Sequence, residues 1–172
     1  MAILNSLIVI PTFNEVDNIG KLIPEIFSLQ PEAHVLIVDD DSPDGTANLV
    51  IEMQKQFAGK LFLEQRTGKQ GLGTAYIFGF TWALQRHYQF IFEMDADFSH
   101  SPKALQSLYD ACAVKGYDMS IGSRYVKGGR VLNWPADRVL MSYYASVYVR
   151  LITWMPVQDT TAGFVCYKRS VL

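Results

Sequence analysis

Acidic residues occur directly after several short apolar runs of this chain, and they are the side chains best suited to chemistry. Glu15 follows the first run, the aspartates 39–41 end the second, and Asp95 and Asp97 follow the fourth. Carboxylates brought together repel one another, so a cation or a hydrogen-bond-donating ligand would stabilise such a cluster. The DxD segment (Asp95-Ala96-Asp97) offers the oxygen ligands that Mg²⁺ and Mn²⁺ prefer. Taken alone, this segment is also compatible with a solvated turn.

Two further segments have the composition of anion-binding sites. The stretch 69–76, KQGLGTAY, places glycines before a predicted helix, whose first amide groups and positive dipole end favour an anion. It is neither a complete dinucleotide fingerprint nor a P-loop, and a tight packing turn is the alternative. Arg124 follows a predicted strand and is suited to bidentate pairing with phosphate oxygens, although an isolated arginine more commonly forms a surface ion pair.

Buried strands and amphipathic helices alternate along the chain, and their order predicts how these side chains are positioned. Continuous apolar runs predict strands at 7–10, 34–38, 61–63, 90–94 and 117–121. Helical periodicity and capping residues predict helices at 19–27, 46–57, 73–88, 102–112 and 134–154. Such alternation is typical of an α/β fold with a mainly parallel sheet flanked by helices. Ligands of these sheets bind beyond the carboxyl ends of the strands, where the acidic residues fall.

Composition and charge exclude several classes of protein. The 172 residues are 49% hydrophobic with a formal net charge of −2, so neither a disordered chain nor a nucleic-acid-binding protein is expected. Cys112 and Cys166 lie far apart without metal-binding spacing, which favours a reducing compartment. No apolar stretch reaches the roughly 18 residues that a transmembrane helix needs, and the first residues lack the basic region of a signal peptide. We therefore expect a single domain in the cytoplasm.

Five segments in this order resemble a known family. They are VIPTFNE at 9–15, VDDDSPDGT at 38–46, GLGTAYIFGF at 71–80, MDADFSHSP at 94–102 and GSRY at 122–125. The chain resembles the dolichyl/polyprenyl-phosphate β-mannosyltransferases, which are family 2 glycosyltransferases with a GT-A, Rossmann-like fold. The resemblance implies transfer of mannose, with inversion, from GDP-mannose to a dolichyl or polyprenyl phosphate, with Mg²⁺ or Mn²⁺ as cofactor. A phosphate monoester is largely dianionic at pH 7, so we expect no general base.

The resemblance also implies roles for individual residues on the donor side. It places the guanosine against five residues: Pro11, Phe13, Glu15, Val38 and Asp40. The sugar diphosphate would meet the DxD segment, Asp95, Ala96 and Asp97, in which Asp97 is the principal metal ligand and Asp95 the second. Ser99 stands where some relatives have a glutamine ligand and others a serine, so it is a third candidate ligand.

On the acceptor side, the resemblance implies that Arg124 faces the diphosphate or the acceptor phosphate. Asp159 begins the DTTAGF stretch, which resembles the family's acceptor-side loop. Val165 stands where many members carry a basic residue, so one anion contact of the family is missing here or comes from elsewhere. Typical members also continue well past the equivalent of Leu172, and we expect residues 1–172 to be one GT-A catalytic domain that is truncated at its C-terminus.

Several alternatives remain open at this point. A family 2 enzyme with another donor, such as a UDP-sugar, would share these motifs, and so would a nucleotide-sugar-binding module without turnover. A dehalogenase-like phosphatase also has a DxD pair and would use Asp95 as a nucleophile. In that class, however, the pair normally follows the first strand.

An aromatic segment near the end of the chain raises the question of membrane contact. Trp134, Tyr143, Tyr144, Tyr148 and Trp154 fall within one predicted helix. Tryptophan and tyrosine favour the membrane boundary, so this helix could bind peripherally to the cytosolic face of a membrane. Aromatic residues at helical spacing also commonly pack against a sheet, and the sequence does not distinguish these two interpretations.

Overall fold

The fold is described from a computed structural model, which covers residues 2–123, 136–155 and 157–172, with the backbone alone at 136–140 and 143. In chain order the elements of these residues are β1 (Ser6–Thr12), α1 (Val16–Leu29), β2 (His34–Asp39), α2 (Thr46–Gln54), β3 (Leu61–Gln65), α3 (Leu72–Gln85), β4 (Phe90–Glu93), α4 (Leu105–Ala113), β5 (Met119–Ile121), α5 (Ala136–Thr153) and β6 (Val165–Lys168).

The strands of this part of the chain form one mixed sheet in the order β3-β2-β1-β4-β6-β5. β1 is parallel to both of its neighbours, β2 and β4, and β2 is parallel to β3. β6 is antiparallel to β4 and to β5. The predicted α/β fold with a mainly parallel sheet is confirmed, whereas the antiparallel strand β6 was not predicted.

The sheet is covered on both faces, which explains why its strands are continuously apolar. Ile8 and Ile10 of β1 point into a core cluster that contains buried residues of α1 and α4. Leu7 and Val9 point to the other face, into a cluster with residues of α3. α3 approaches β1 so closely that a Cβ atom on Gly79 would clash with the side chain of Val9.

The turns that leave β1, β2 and β4 adopt backbone conformations that are uncommon for residues other than glycine. Asn14, Asp41 and Phe98 have φ angles of 60°, 59° and 57°. Left-handed conformations of this kind are enriched at ligand sites, where the surrounding structure offsets their strain. All three residues follow strands whose carboxyl ends meet at the same edge of the sheet.

Asp44 organises the turn between β2 and α2. Its carboxylate accepts hydrogen bonds from the backbone N–H of Thr46 at 2.9 Å and, from the start of α1, Val16 at 3.1 Å. Although burial opposes the shift, these bonds and the Thr46 hydroxyl lower the pKa of Asp44. Thr46 is the first residue of α2, and Gly45 precedes it with φ 90°.

α5 exposes most of its apolar side chains. Tyr144, Tyr148 and Trp154 are 61%, 66% and 87% exposed, so for these three residues the interpretation as sheet-packing aromatics is wrong. Trp134 and the side chain of Tyr143 lie outside the described residues. In the part of the chain that the structure describes, no helix combines the length and the apolar character needed to cross a membrane.

Candidate active site

A cleft of about 350 Å³ opens at the carboxyl ends of β1, β2 and β4. This is the point at which successive strands change from one side of β1 to the other, the usual ligand site of open α/β sheets. Its walls are formed by Pro11, Thr12, Phe13, Glu15, Asp40, Lys69, Gly71, Leu72, Ala75, Asp95, Ala96 and Asp97. Seven of these are residues predicted to bind the nucleotide sugar: Pro11, Phe13, Glu15, Asp40, Asp95, Ala96 and Asp97.

Three other predicted residues that the structure describes are not among the cleft walls, and a fourth cannot be placed. The side chain of Val38 is fully buried in the core cluster beneath α3, because alternate residues of β2 face that helix. Ser99 donates its backbone N–H to Oδ1 of Asp97 at 2.9 Å, which orients that carboxylate from outside the cleft. Asp159 is buried in the loop before β6. Arg124 lies outside the described residues.

The aspartates at the end of β2 are satisfied by protein partners. Asp39 accepts hydrogen bonds from the hydroxyls of Thr12 at 2.8 Å and Ser42 at 2.6 Å. Asp40 forms an ion pair with Arg66, with 2.5 Å between Nη2 and Oδ1, and both side chains are buried. The backbone N–H of Gln70 donates to the other oxygen of Asp40 at 3.1 Å. These carboxylates therefore need no cation from outside to offset their repulsion.

Asp95 and Asp97, by contrast, both line the cleft. Asp97 is exposed, and half-buried Asp95 accepts a hydrogen bond on Oδ1 from the Tyr76 hydroxyl at 2.8 Å. Burial and the charge of Asp95 raise the pKa of Tyr76, so its hydroxyl stays protonated and donates. Burial raises the pKa of the neighbouring Glu93 to about 7. A hydrogen bond from Tyr167 acts in the opposite direction, but the effect of burial is larger.

The charge of the cleft favours a divalent cation alongside any phosphorylated ligand. Lys69 supplies a positive charge, and its Nζ lies 4.3 Å from the centre of the Phe13 ring. Glu15, Asp95 and Asp97 supply negative charge in the same walls. No group of three potential metal-binding side chains occurs among the described residues. Two carboxylates completed by substrate phosphates are nevertheless the usual way to hold Mg²⁺, so this donor set fits such an ion.

The loop before β6 reaches the DxD segment from the opposite side. A Cβ atom on Gly163 would lie 2.5 Å from Oδ2 of Asp95, so either the loop or this carboxylate would have to shift to admit a side chain. Asp159, at the start of the loop, is held by the backbone N–H and the hydroxyl of Thr161 at 3.3 and 3.2 Å. Ser146 of α5 accepts from the backbone N–H of Thr160 at 3.4 Å, which ties the loop to α5.

Sequence reasoning missed three residues of this site. Arg66 and Tyr76 act through partners that are distant in the sequence, Asp40 and Asp95. Gly163 matters through a steric contact that no sequence pattern reveals. Tyr76 was part of the glycine-rich stretch 69–76, and the only available signal was its position one turn into the helix that begins there.

Comparisons with known proteins agree with this geometry. Residues 7–172 match the family described as Glycosyl transferase family 2. The chain is 44% identical over 167 residues to the polyprenol monophosphomannose synthase of Mycolicibacterium smegmatis, covering 97% of this chain and 63% of that protein. It is 40% identical over 166 residues to the undecaprenyl-phosphate mannosyltransferase of Micrococcus luteus, covering 96% of this chain and 67% of that protein. It thus spans less than two thirds of the first of these relatives.

A solved structure shares the fold. A mannosyltransferase from Pyrobaculum calidifontis, in complex with GDP-Man and Mn²⁺, superposes with a TM-score of 0.64 at 21% identity. The superposition covers 98% of this chain and 45% of that one. The sheet order and the cleft are those of a GT-A fold, and the match spans nearly the whole sequence. The chain belongs to glycosyltransferase family 2.

Proposed function

We propose that this chain is the donor-binding and catalytic domain of an inverting, metal-dependent mannosyltransferase. It would transfer mannose from GDP-mannose to a dolichyl or polyprenyl phosphate. The observation that carries the proposal is the cleft, whose walls combine the DxD segment with Phe13 and Glu15 at the switch point of a family 2 fold. The names of the relatives from Mycolicibacterium and Micrococcus support a lipid-phosphate acceptor.

The nucleotide end of the cleft is the wall formed by Pro11, Phe13 and Glu15. Phe13 offers an aromatic surface for a base, and the Lys69 ammonium group above its ring adds a donor and a positive charge. Glu15 is oriented by the side-chain amide of Asn18, which donates to Oε2 at 2.6 Å. Because both oxygens of Asp40 already have protein partners, Asp40 acts by fixing Arg66 and the adjoining glycine-rich loop.

The diphosphate end is the DxD segment. A diphosphate next to Asp97 and Asp95 would be repelled unless a cation lay between them. Bound Mg²⁺ or Mn²⁺ would supply that charge and stabilise the departing GDP as a Lewis acid. The Ser99 N–H keeps Asp97 oriented towards the cleft, and the Tyr76 hydroxyl does the same for Asp95.

The acceptor phosphate would approach from the side of the loop before β6. This loop brings Gly163 against Asp95, so an acceptor bound along it would lie next to the sugar. The second pKa of a phosphate monoester is about 6, so the acceptor is largely dianionic at neutral pH and needs no proton removed. Arg124 is proposed to pair with this phosphate, because a guanidinium group matches its oxygens in a bidentate manner.

A lipid acceptor lies in a membrane, and α5 has an exposed apolar face that could contact that membrane. Met141, Tyr144, Tyr148 and Leu151 follow helical spacing, and their exposed fractions range from 61% to 74%. An apolar, aromatic helix face of this kind is suited to the interfacial region of a membrane. Because α5 is hydrogen-bonded to the Thr160 segment, the surface that meets the lipid would also support the acceptor loop. We therefore propose peripheral membrane contact through α5.

The test is calorimetric titration with GDP-mannose, GDP and UDP-glucose, each with and without Mn²⁺. We expect Mn²⁺-dependent binding of the two guanosine ligands only, lost in Asp97→Asn. Asp118→Asn is the matched control, since Asp118 is 73% exposed and precedes β5 at the other end of the sheet. Preference for UDP-glucose would overturn the donor assignment. Tight binding without transfer to a polyprenyl phosphate would indicate a binding module.

A further inference from the structure

The carboxylate of Asp95 is held between two elements that are far apart in the sequence. From α3, the Tyr76 hydroxyl donates to Oδ1 at 2.8 Å. From the loop before β6, the backbone of Gly163 lies against Oδ2, so closely that a Cβ atom there would be 2.5 Å from that oxygen. The side chain of Asp95 therefore has a fixed orientation before any ligand binds.

Tyr76 is itself rigidly placed. Its side chain is buried, in the core cluster between α3 and the sheet. Its ring stacks on that of Phe80 with 6.2 Å between centroids, and Phe80 meets the edge of Tyr167 at 5.6 Å. The hydroxyl of Tyr167 in turn donates to Glu93 at 3.3 Å. Tyr76, Phe80 and Tyr167 thus form a layer of aromatic rings packed against one another, and the Tyr76 hydroxyl of this layer contacts Asp95.

We propose that Tyr76 is a positioning residue for the metal and diphosphate site, acting through Asp95. This inference rests on the proposed function. Carboxylates that bind metals are commonly oriented by hydrogen bonds from neighbouring groups, and losing such a bond lowers metal affinity or activity by roughly 10–100-fold. The Tyr76 hydroxyl is the donor that fills this role for Asp95, just as the Ser99 N–H does for Asp97.

The experiment measures the affinity for Mn²⁺ in the presence of saturating GDP, by electron paramagnetic resonance of unbound Mn²⁺. Tyr76→Phe removes one oxygen and keeps the ring, so we expect an unchanged melting temperature and an affinity weakened by roughly 10–100-fold. Tyr88→Phe is the matched control. Tyr88 is also buried, but its hydroxyl contacts Nδ1 of His34 at 2.6 Å, and the affinity for Mn²⁺ should not change.

A double-mutant cycle with Asp95→Ala separates positioning from a general structural effect. If Tyr76 acts through Asp95, Tyr76→Phe should weaken Mn²⁺ binding no further once Asp95 is absent. If Tyr76→Phe weakens Mn²⁺ binding equally in the parent protein and in Asp95→Ala, the inference is overturned. It is also overturned if the parent binds Mn²⁺ and Tyr76→Phe binds it with the same affinity. Failure of the parent protein to bind Mn²⁺ with GDP would overturn the proposed function and this inference together.

Discussion

Gly163 lies against the carboxylate of Asp95, although the two residues are 68 positions apart in the sequence. A methyl group on Gly163 would lie 2.5 Å from Oδ2 of Asp95, so either the loop or the carboxylate has to move. The Tyr76 hydroxyl holds that carboxylate from the other side, which limits its freedom to do so. The loop before β6 and the candidate metal ligand Asp95 are therefore in direct steric contact.

Gly163→Ala should weaken Mn²⁺-dependent binding of GDP by roughly tenfold or more, because it displaces a candidate metal ligand. Calorimetric titration of GDP with Mn²⁺ measures the effect. Gly20→Ala serves as the control, since a Cβ atom there makes an ordinary 3.4 Å contact with Leu49. Unaltered GDP affinity in Gly163→Ala would show that the loop tolerates the methyl group. It would also show that the close contact between Gly163 and Asp95 does not affect GDP binding.

Arg66→Met should strongly destabilise the fold, because it leaves the Asp40 carboxylate buried without its cation. The side chains of Arg66 and Asp40 are 7% and 8% exposed, and breaking a buried pair on one side costs about 3–5 kcal/mol. Urea denaturation measures the loss, and Asp40→Asn in the same chain should recover part of it. Lys60→Met, which breaks an exposed pair with Glu32, should cost at most about 1 kcal/mol. Equal losses in Arg66→Met and Lys60→Met would contradict this account.

Gly79→Ala and Gly73→Ala should have opposite effects on stability, although both glycines lie in α3. A Cβ atom on Gly79 would clash with Val9 of β1, and overpacking of this kind costs about 1–3 kcal/mol. A Cβ atom on Gly73 meets nothing within 4 Å, so alanine there should be neutral or stabilise the helix by up to about 1 kcal/mol. Thermal unfolding of the two variants checks the sign. A stabilised Gly79→Ala would mean that α3 is not fixed against β1.

His34 should make the free energy of unfolding depend on pH. Burial, and secondarily the charge of Lys60, lower the pKa of His34, while Glu32 opposes the shift. The unfolded chain, with a histidine pKa of about 6.5, therefore takes up a proton first as the pH falls. The stabilisation from neutral His34 is present above that pKa and is lost as the pH falls through it.

Urea denaturation from about pH 8 to about pH 5.5 tests this dependence on the histidine pKa. The parent protein should lose more stability over this range than His34→Gln does. The difference between the two proteins isolates the histidine, since other titrating groups are common to both. Parallel stability curves for parent and variant would contradict the prediction.

Substitution of the apolar face of α5 should weaken binding to phospholipid vesicles. Leu151 and Ile152 are 72% and 60% exposed, and burying a side chain of this kind stabilises by about 1.5–3 kcal/mol. Leu151→Ser with Ile152→Ser should therefore lower the partition coefficient by at least roughly tenfold in a sedimentation assay. Val114→Ser, at a 66% exposed site after α4, is the matched control. An equal effect of both changes would exclude α5 as the contact surface.

The strands and the cleft walls were largely predictable because their signals are local. β1 and β2 are continuous apolar runs, and residues directly after such runs gather at one edge of a parallel sheet. Phe13, Asp40 and the DxD segment could therefore be placed at the site from their positions alone. Val38 was assigned to the nucleotide site by the family resemblance alone, and strand alternation buries its side chain in the core.

The partners of the site residues were not predictable, because they depend on pairings between distant parts of the chain. Nothing near Asp40 in the sequence indicates that Arg66 will neutralise it, and the converging acidic clusters were expected to need a cation or a hydrogen-bond-donating ligand. In the structure, Asp95 and Asp97 of the DxD segment are the carboxylates whose charge a bound cation would neutralise. β6 was not predicted either, and its antiparallel pairing with β4 is another contact between distant parts of the chain.

The position of β6 has a consequence for how the protein forms during synthesis. Tyr167 of β6 contacts Glu93 of β4, a residue 74 positions earlier in the chain. While the ribosome is still making the intervening residues, β4 presents an unpaired edge next to the completed strands β1, β2 and β3. Exposed strand edges favour association between nascent chains. A translational pause before residue 165 would therefore lengthen the time during which the edge of β4 is unpaired and the nascent chain can aggregate. A chaperone bound to this edge would protect the strands that have already formed.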